Sequence, residues 1–148
     1  MRISAKGRYA LAAMVSMARE YHNGECITVI SISEKLGISK IYLEQVFSLL
    51  KRGGIVSSLK GSQGGYMLSR MPGDISAYQV LAAVESALTE SAEETVADKA
   101  PQIDAAMQSL VFSTLDGVIK AALDKITLDD LVNEAEKHNA ENSLMFFI

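Results

Sequence analysis

The sequence is short of the residues on which several protein classes depend. Its 148 residues hold a single cysteine, Cys26, which excludes a disulfide framework and, within one chain, a multi-thiolate metal cage. Two prolines and ten glycines are too few for a low-complexity chain. No apolar run approaches the ~18 residues that a membrane span needs. Arg19 and Glu20 also cut the first apolar stretch short of what a signal peptide requires. No paired carboxylates, nucleophile–base set or metal-ligand spacing is present, and His22 and His138 are the only imidazoles. The chain is therefore read as no enzyme, with no metal site and no resident cofactor. What remains is a mildly acidic globular protein, 49% hydrophobic and 22% charged, expected in the reducing cytoplasm with no membrane partner.

The net charge of −4 conceals an uneven distribution. Residues 1–74 carry ten Lys/Arg against five Asp/Glu, a net of +5, whereas residues 75–148 carry four Lys against thirteen Asp/Glu, a net of −9. A basic half suits a polyanionic partner, and an acidic half repelled by the same partner would orient the molecule on it.

Periodicity divides the chain into elements. From Ser4 to about His22, residues Tyr9, Ala10, Ala13, Met14, Met17, Ala18 and Tyr21 recur at helical spacing, and Asn23-Gly24 supplies a stop. Glu25 to Ile30 reads as extended. Ser31 and Glu34 have capping-box spacing for a short helix ended by Gly37. Ser39 caps the next helix, whose inward face is Leu43, Val46, Phe47 and Leu50 and whose end is Gly53-Gly54. A short helix, a glycine turn and a longer helix make a helix-turn-helix pattern over about residues 28–52. Ile55–Leu59 and Tyr66–Ser69 read as two strands of a hairpin, a wing over about residues 55–69, joined by Lys60-Gly61-Ser62-Gln63-Gly64-Gly65. These glycines are not a P-loop, because a strand follows where that motif requires a helix.

Ser76 and Gln79 form a second capping-box pattern, for a helix to about Ser86. Residues 87–98 lack a period and read as a flexible linker. Beyond Pro101, residues Ile103, Met107, Leu110, Val111, Thr114, Val118, Ala122 and Ile126 keep helical spacing over a length greater than a core of this size needs to cover. A long helix with an apolar seam suits pairing with its own copy, so Ile103 through Ala122 of this series form the candidate dimer interface. Thr127 caps a final helix to about His138, and residues 139–148 form a tail ending Leu144-Met145-Phe146-Phe147-Ile148.

The fold class expected is mainly α with a small β-hairpin wing: a winged helix-turn-helix over residues 1–86, then dimerisation helices over 99–138. The candidate DNA contacts follow. At the start of the second helix of the motif, Ser39 and Tyr42 suit phosphates, Lys40 supplies charge, Gln45 suits adenine and Glu44 accepts from a cytosine amino group. In the wing, Lys60 reaches phosphate or minor groove, with Gly61, Ser62, Gln63, Gly64, Gly65 and Tyr66 around it. Arg2 and Lys6 add positive charge at the N-terminus.

Three stretches together carry a resemblance: Met1-Arg2-Ile3-Ser4-Ala5-Lys6-Gly7-Arg8-Tyr9-Ala10, Tyr42-Leu43-Glu44-Gln45, and Gly61-Ser62-Gln63-Gly64-Gly65-Tyr66-Met67-Leu68. The chain resembles the IscR/CymR-type (Rrf-two) family of bacterial winged helix-turn-helix transcription regulators, closely over about residues 1–86. The resemblance implies a homodimer built on the helix near residues 101–126 and a roughly palindromic double-stranded DNA operator. The sequence departs from the family at Ile41, where some relatives carry a small polar base-contacting residue, and at Lys60, where arginine is usual. Lysine there forfeits a bidentate fork. Iron–sulfur members carry three closely spaced cysteines before the dimer helix, and residues 87–100 here carry none. Absence of those cysteines and an aromatic-isoleucine end resemble the branch that represses cysteine metabolism genes. That likeness implies cysteine synthase (O-acetylserine thiol-lyase) as a partner, held through Met145, Phe146, Phe147 and Ile148, with the terminal carboxylate captured as in other C-terminal docking peptides. Two other readings stand beside it: a redox or iron–sulfur sensor of the same family acting through Cys26 or an inter-subunit site, and a helical adaptor that binds no DNA.

Overall fold

A computed structural model describes residues 3–21, 25–61 and 64–146, with Phe146 described in its backbone alone. Helix α1 (Ala5–Arg19) begins where the Ser4 side chain accepts a hydrogen bond from the Gly7 amide, and it buries Ala10, Ala13, Met14 and Met17. Helix α2 (Val29–Leu36) is capped by Thr28, whose hydroxyl accepts from the Ser31 amide. The capping residue expected from spacing was Ser31. Thr28 stands three residues earlier and equally able to cap, and it lets Val29, Ile30 and Ser31 into the helix. Gly37, with φ of +67°, ends α2 in the left-handed conformation that favours glycine.

Helix α3 (Lys40–Arg52) starts at Ser39, whose hydroxyl accepts from the Tyr42 amide. Its Leu43, Val46, Phe47 and Leu50 are fully buried, as their spacing demands. Strands β1 (Val56–Leu59) and β2 (Gly65–Leu68) pair antiparallel, Val56 opposite Leu68 and Leu59 opposite Gly65. Helix α4 (Ala77–Val84) opens on a complete capping box made by Ser76 and Gln79. It stops at Val84 and gives way to a 3-10 turn, Ser86–Leu88, short of the helix end expected at Ser86.

The segment expected as a flexible linker is tied down. Asp104, buried at the first turn of α5 (Pro101–Met107), accepts from the amides of Thr95 (3.0 Å) and Val96 (3.2 Å). From α5 the helical path runs without a break through a π turn (Gln108–Phe112) into α6 (Ser113–Asp124). In the π turn the Ser113 amide donates five residues back, to the Gln108 carbonyl. The extra residue re-aims the side chains that follow, a shift that no periodicity in the sequence announces.

Helix α7 (Leu128–Phe146) continues through the stretch expected to be a polar spacer and tail. Asn139 and Asn142 are weak helix formers, but no glycine or proline interrupts the run, so nothing stops it. Thr127 and Asp130 cap its start reciprocally: the Thr127 amide donates to Asp130 at 2.9 Å and the Asp130 amide to Thr127 at 3.1 Å. The turn from α6 into α7 is also tied to the start of α4. The Leu128 amide donates to the Ile75 carbonyl (3.0 Å), the Ala77 amide donates to the Ile126 carbonyl (2.7 Å), and Ser76 Oγ donates to Asp124 (2.8 Å). Leu128 is fully buried in the same core as Met14, Ile32, Phe47 and Leu68, with Leu131 and Val132 packed behind it. The winged helix and the start of α7 thus share one hydrophobic core.

Candidate nucleic-acid interface

The interface is assembled by three local devices. The first is the helix-turn-helix, in which Gly37 reverses the chain and Ser33 Oγ donates to the Ile38 carbonyl at 2.5 Å, tying the turn to α2. The second is a backbone splice between the residues preceding α2 and the wing. Ile27 and Tyr66 exchange both hydrogen bonds, at 2.7 and 2.8 Å, so Ile27 adds a one-residue third strand. The third is an aromatic contact between α1 and α3, where Tyr9 and Tyr42 meet edge to face at 5.2 Å between centroids. A further tie anchors the start of α1, where the Ser4 amide and hydroxyl both donate to the Glu85 carboxylate at 2.9 and 2.6 Å.

On α3 the inward residues 43, 46, 47 and 50 leave Ile41, Glu44, Gln45 and Ser48 outward, where they and Leu49 line a shallow open depression. Lys40 and Glu44 stand 3.7 Å apart as an exposed i, i+4 ion pair, worth a few tenths of a kilocalorie per mole. Glu44 and Gln45, the residues expected to meet base edges, are thus both exposed on the outward face of the helix. Ser39 uses its oxygen as helix cap, which leaves its hydroxyl proton free to donate. Tyr42, expected at a phosphate, is half-buried, with its ring packed edge to face on Tyr9. Ser48 and Leu49 were not among the expected site residues. The helical repeat from Ile41 and Glu44 is the signal that marks Ser48.

In the wing, Lys60 is exposed at the end of β1, and Gly61 has φ of +125°. The other glycines answer to the backbone itself. A Cβ on Gly64 would lie 2.6 Å from the Leu59 carbonyl oxygen, and one on Gly65 would lie 2.6 Å from that of Ile27. The Gly64 amide, expected to face phosphate, instead donates to the Gly61 carbonyl at 3.0 Å and closes the turn. The half-buried Tyr66, expected at the DNA, also braces the wing, its ring packed on the buried Phe47 with centroids 4.7 Å apart. Strand alternation explains this, since Tyr66 shares a face with the buried Leu68. Ser62, Gln63 and Arg2 lie outside the described residues, and Lys6 is half-buried on the first turn of α1.

Several of the cations that make the first half basic are spent on structure. Arg19 pairs with Glu136 at 3.0 Å, Lys35 pairs with Glu20, and Arg70 donates to Gln79 and to the Asp74 and Gly54 carbonyls. Lys51, Arg52 and Lys60 are exposed and make no salt bridge among the described residues.

The long helix carries the second candidate surface. Ile103, Leu110, Val111 and Val118 are exposed, Leu110 at 74%, with Thr114 and Ala122 also exposed and Met107 half-buried. Leu115 belongs to the same exposed set and was not expected. It stands five residues from Leu110, the interval that the π turn brings to one face. At the end of α7, Leu144 and Met145 are exposed, while Phe147 and Ile148 lie outside the described residues.

A family model described as an iron-dependent transcriptional regulator, Rrf2, matches residues 3–134. The HTH-type transcriptional regulator IscR of Pectobacterium atrosepticum is 37% identical over 142 residues, which cover 94% of this chain and 84% of that one. Among solved structures, CymR (YrzC), the global cysteine regulator of B. subtilis, superposes with a TM-score of 0.69 at 31% identity, covering 90% of this chain and 98% of that one. T. potens IscR superposes with a TM-score of 0.68 at 30% identity, covering 93% and 90%. For the iron named in the family description, no group of three or more His, Cys, Asp or Glu side chains placed to hold a metal ion occurs among the described residues. Iron–sulfur clusters are held by several thiolates, whereas the chain has one cysteine and residues 87–108 contain neither cysteine nor histidine. No helix among the described residues is long and apolar enough to cross a membrane. A winged helix with this wing and this helix-turn-helix, matched over nearly its whole length, places the chain in the Rrf2 family of transcription regulators, which are not enzymes.

Proposed function

We infer that the protein is a homodimeric, sequence-specific DNA-binding repressor. Helix α3 enters the major groove, the wing lies along the adjacent backbone, and the exposed seam of α5 and α6 joins two copies. The observation that carries this reading is the division of α3: four residues fully buried on one side, and Glu44, Gln45, Ser48 and Ile41 presented together on the other. Two copies related by a two-fold axis present two such faces to half-sites one helical turn apart. Selection of bound genomic fragments by the purified protein tests the reading directly. Recovery of an inverted repeat supports it, and recovery of no enriched sequence refutes it.

The regulated genes belong, on this reading, to cysteine or sulfur metabolism, and the input arrives through cysteine synthase gripping the C-terminus. Two observations favour this over cluster sensing. The chain lacks the thiolates for a cluster, and α7 projects an exposed apolar end at Leu144 and Met145. Similarity to a structure described as a global cysteine regulator points the same way. Deleting Phe147 and Ile148 abolishes the complex with cysteine synthase on this account and leaves the far-ultraviolet circular dichroism unchanged. Undiminished binding by the truncated chain would refute the partner.

A further inference from the structure

Ile41 is a β-branched apolar residue in the first turn of α3, yet 72% of it is exposed. It contributes nothing to the core, which takes its α3 contacts from Leu43, Val46, Phe47 and Leu50. Around it on the depression stand Glu44, Gln45 and Ser48, with the half-buried Leu49 behind them and Lys40 paired to Glu44 one turn along. One exposed stiff apolar group beside three hydrogen-bonding side chains, with only the half-buried Leu49 for apolar company, is not the broad apolar patch that a protein partner would cover. It matches the edge of a base pair in the major groove, where the only apolar feature is the thymine 5-methyl group.

We propose that Ile41 is a specificity-determining residue that reads a thymine methyl by direct apolar contact, beside the hydrogen-bonding positions Glu44 and Gln45. The proposal rests on α3 being the base-reading helix. The chemistry is asymmetric: isoleucine offers neither donor nor acceptor and so pairs no polar base edge, but only thymine returns an apolar contact, through its methyl group. Restricted χ1 freedom holds the contact in place at little entropic cost.

The test uses a duplex selected from a random-sequence pool by the full chain, with each thymine of a half-site replaced in turn by deoxyuridine. This removes one methyl group and leaves every hydrogen-bonding group in place. The wild-type protein is expected to bind about fourfold more weakly per half-site when one particular thymine is changed, the effect of one methyl-sized group returned to water. Ile41→Ser is expected to bind the thymine and deoxyuridine duplexes equally, while Ile41→Val retains most of the difference. Position 41 is exposed, so both variants should keep the wild-type circular dichroism and unfolding midpoint. Equal wild-type binding to every substituted duplex, or a difference that survives in Ile41→Ser, would overturn the role of Ile41 while leaving DNA recognition by α3 intact. Failure of the pool to yield any duplex would overturn the base-reading function itself, and the role of Ile41 with it.

Discussion

Replacing Leu110 separates folding from assembly more cleanly than any other change in this chain. Leu110 lies in the π turn and is 74% exposed, so its side chain makes little contact within its own protomer. Burying a whole leucine side chain is worth about 1.5–3 kcal/mol, so covering the exposed three quarters is worth about 1–2 kcal/mol. A two-fold axis uses the residue twice, which brings the contribution to the dimer to about 2–4 kcal/mol. Leu110→Ala should therefore weaken dimerisation by about 30- to 1,000-fold. Leu110→Glu should do more, because two carboxylates would be brought into an apolar seam already flanked by the acidic half of the chain. Sedimentation equilibrium over a micromolar range reads the dimer constant, and circular dichroism reports the fold. The expected result is a folded monomer for Leu110→Glu that binds an inverted repeat with half-site affinity. A Leu110→Glu protein that remains wholly dimeric at low micromolar concentration would show that the seam on α5 and α6 is not the interface.

Two further substitutions probe how the fold supports the surface. Leu128→Ala removes a fully buried side chain contributed by the acidic half to the shared core. It should cost about 2–5 kcal/mol and lower the urea midpoint of the whole chain in a single transition; a loss confined to α7, with the winged helix unaffected, would contradict a shared core. Gly64→Ala places a Cβ 2.6 Å from the Leu59 carbonyl. It should distort the wing and weaken DNA binding, at a stability cost of about 1–3 kcal/mol, whereas unaltered affinity would remove the wing geometry from recognition.

Much of the DNA-facing architecture was legible because it is written in local signals. The buried face of α3, the Ser39 cap, the Gly37 stop and the Ser76–Gln79 capping box each depend on residues within one or two helical turns. Misplaced features depended on competition or on distance. Thr28 and Ser31 both qualify as caps, and spacing alone does not choose between them. Tyr66 is expected at the DNA from its motif, and its two-residue alternation with the buried Leu68 also accounts for its ring packing on Phe47. Asp104 looked like one more acid in an acidic half. Its burial against the amides of Thr95 and Val96, nine and eight residues before it, bridges a loop that carries no periodic signal. The π turn and the extension of α7 to Phe146 share that character, since nothing in the local residues forbids the simpler alternative. The glycines of the wing teach a related lesson: they were expected for phosphates, and the close approach of the Leu59 and Ile27 carbonyls already requires Gly64 and Gly65.

The salt dependence of DNA affinity, compared between the wild-type protein and Lys60→Ala, bears most directly on recognition by α3 and the wing. Binding to the selected inverted repeat should weaken steeply as salt rises, because each phosphate neutralised by a lysine or arginine releases counterions. Lys60 is exposed at the wing and engaged in no salt bridge among the described residues, so its removal should lower the slope of log K against log salt by about one unit per half-site. The fold, and the preference for the selected sequence over random DNA, should persist. An affinity that ignores salt, or a Lys60→Ala protein with the wild-type slope, would contradict the placement of the wing on the DNA backbone.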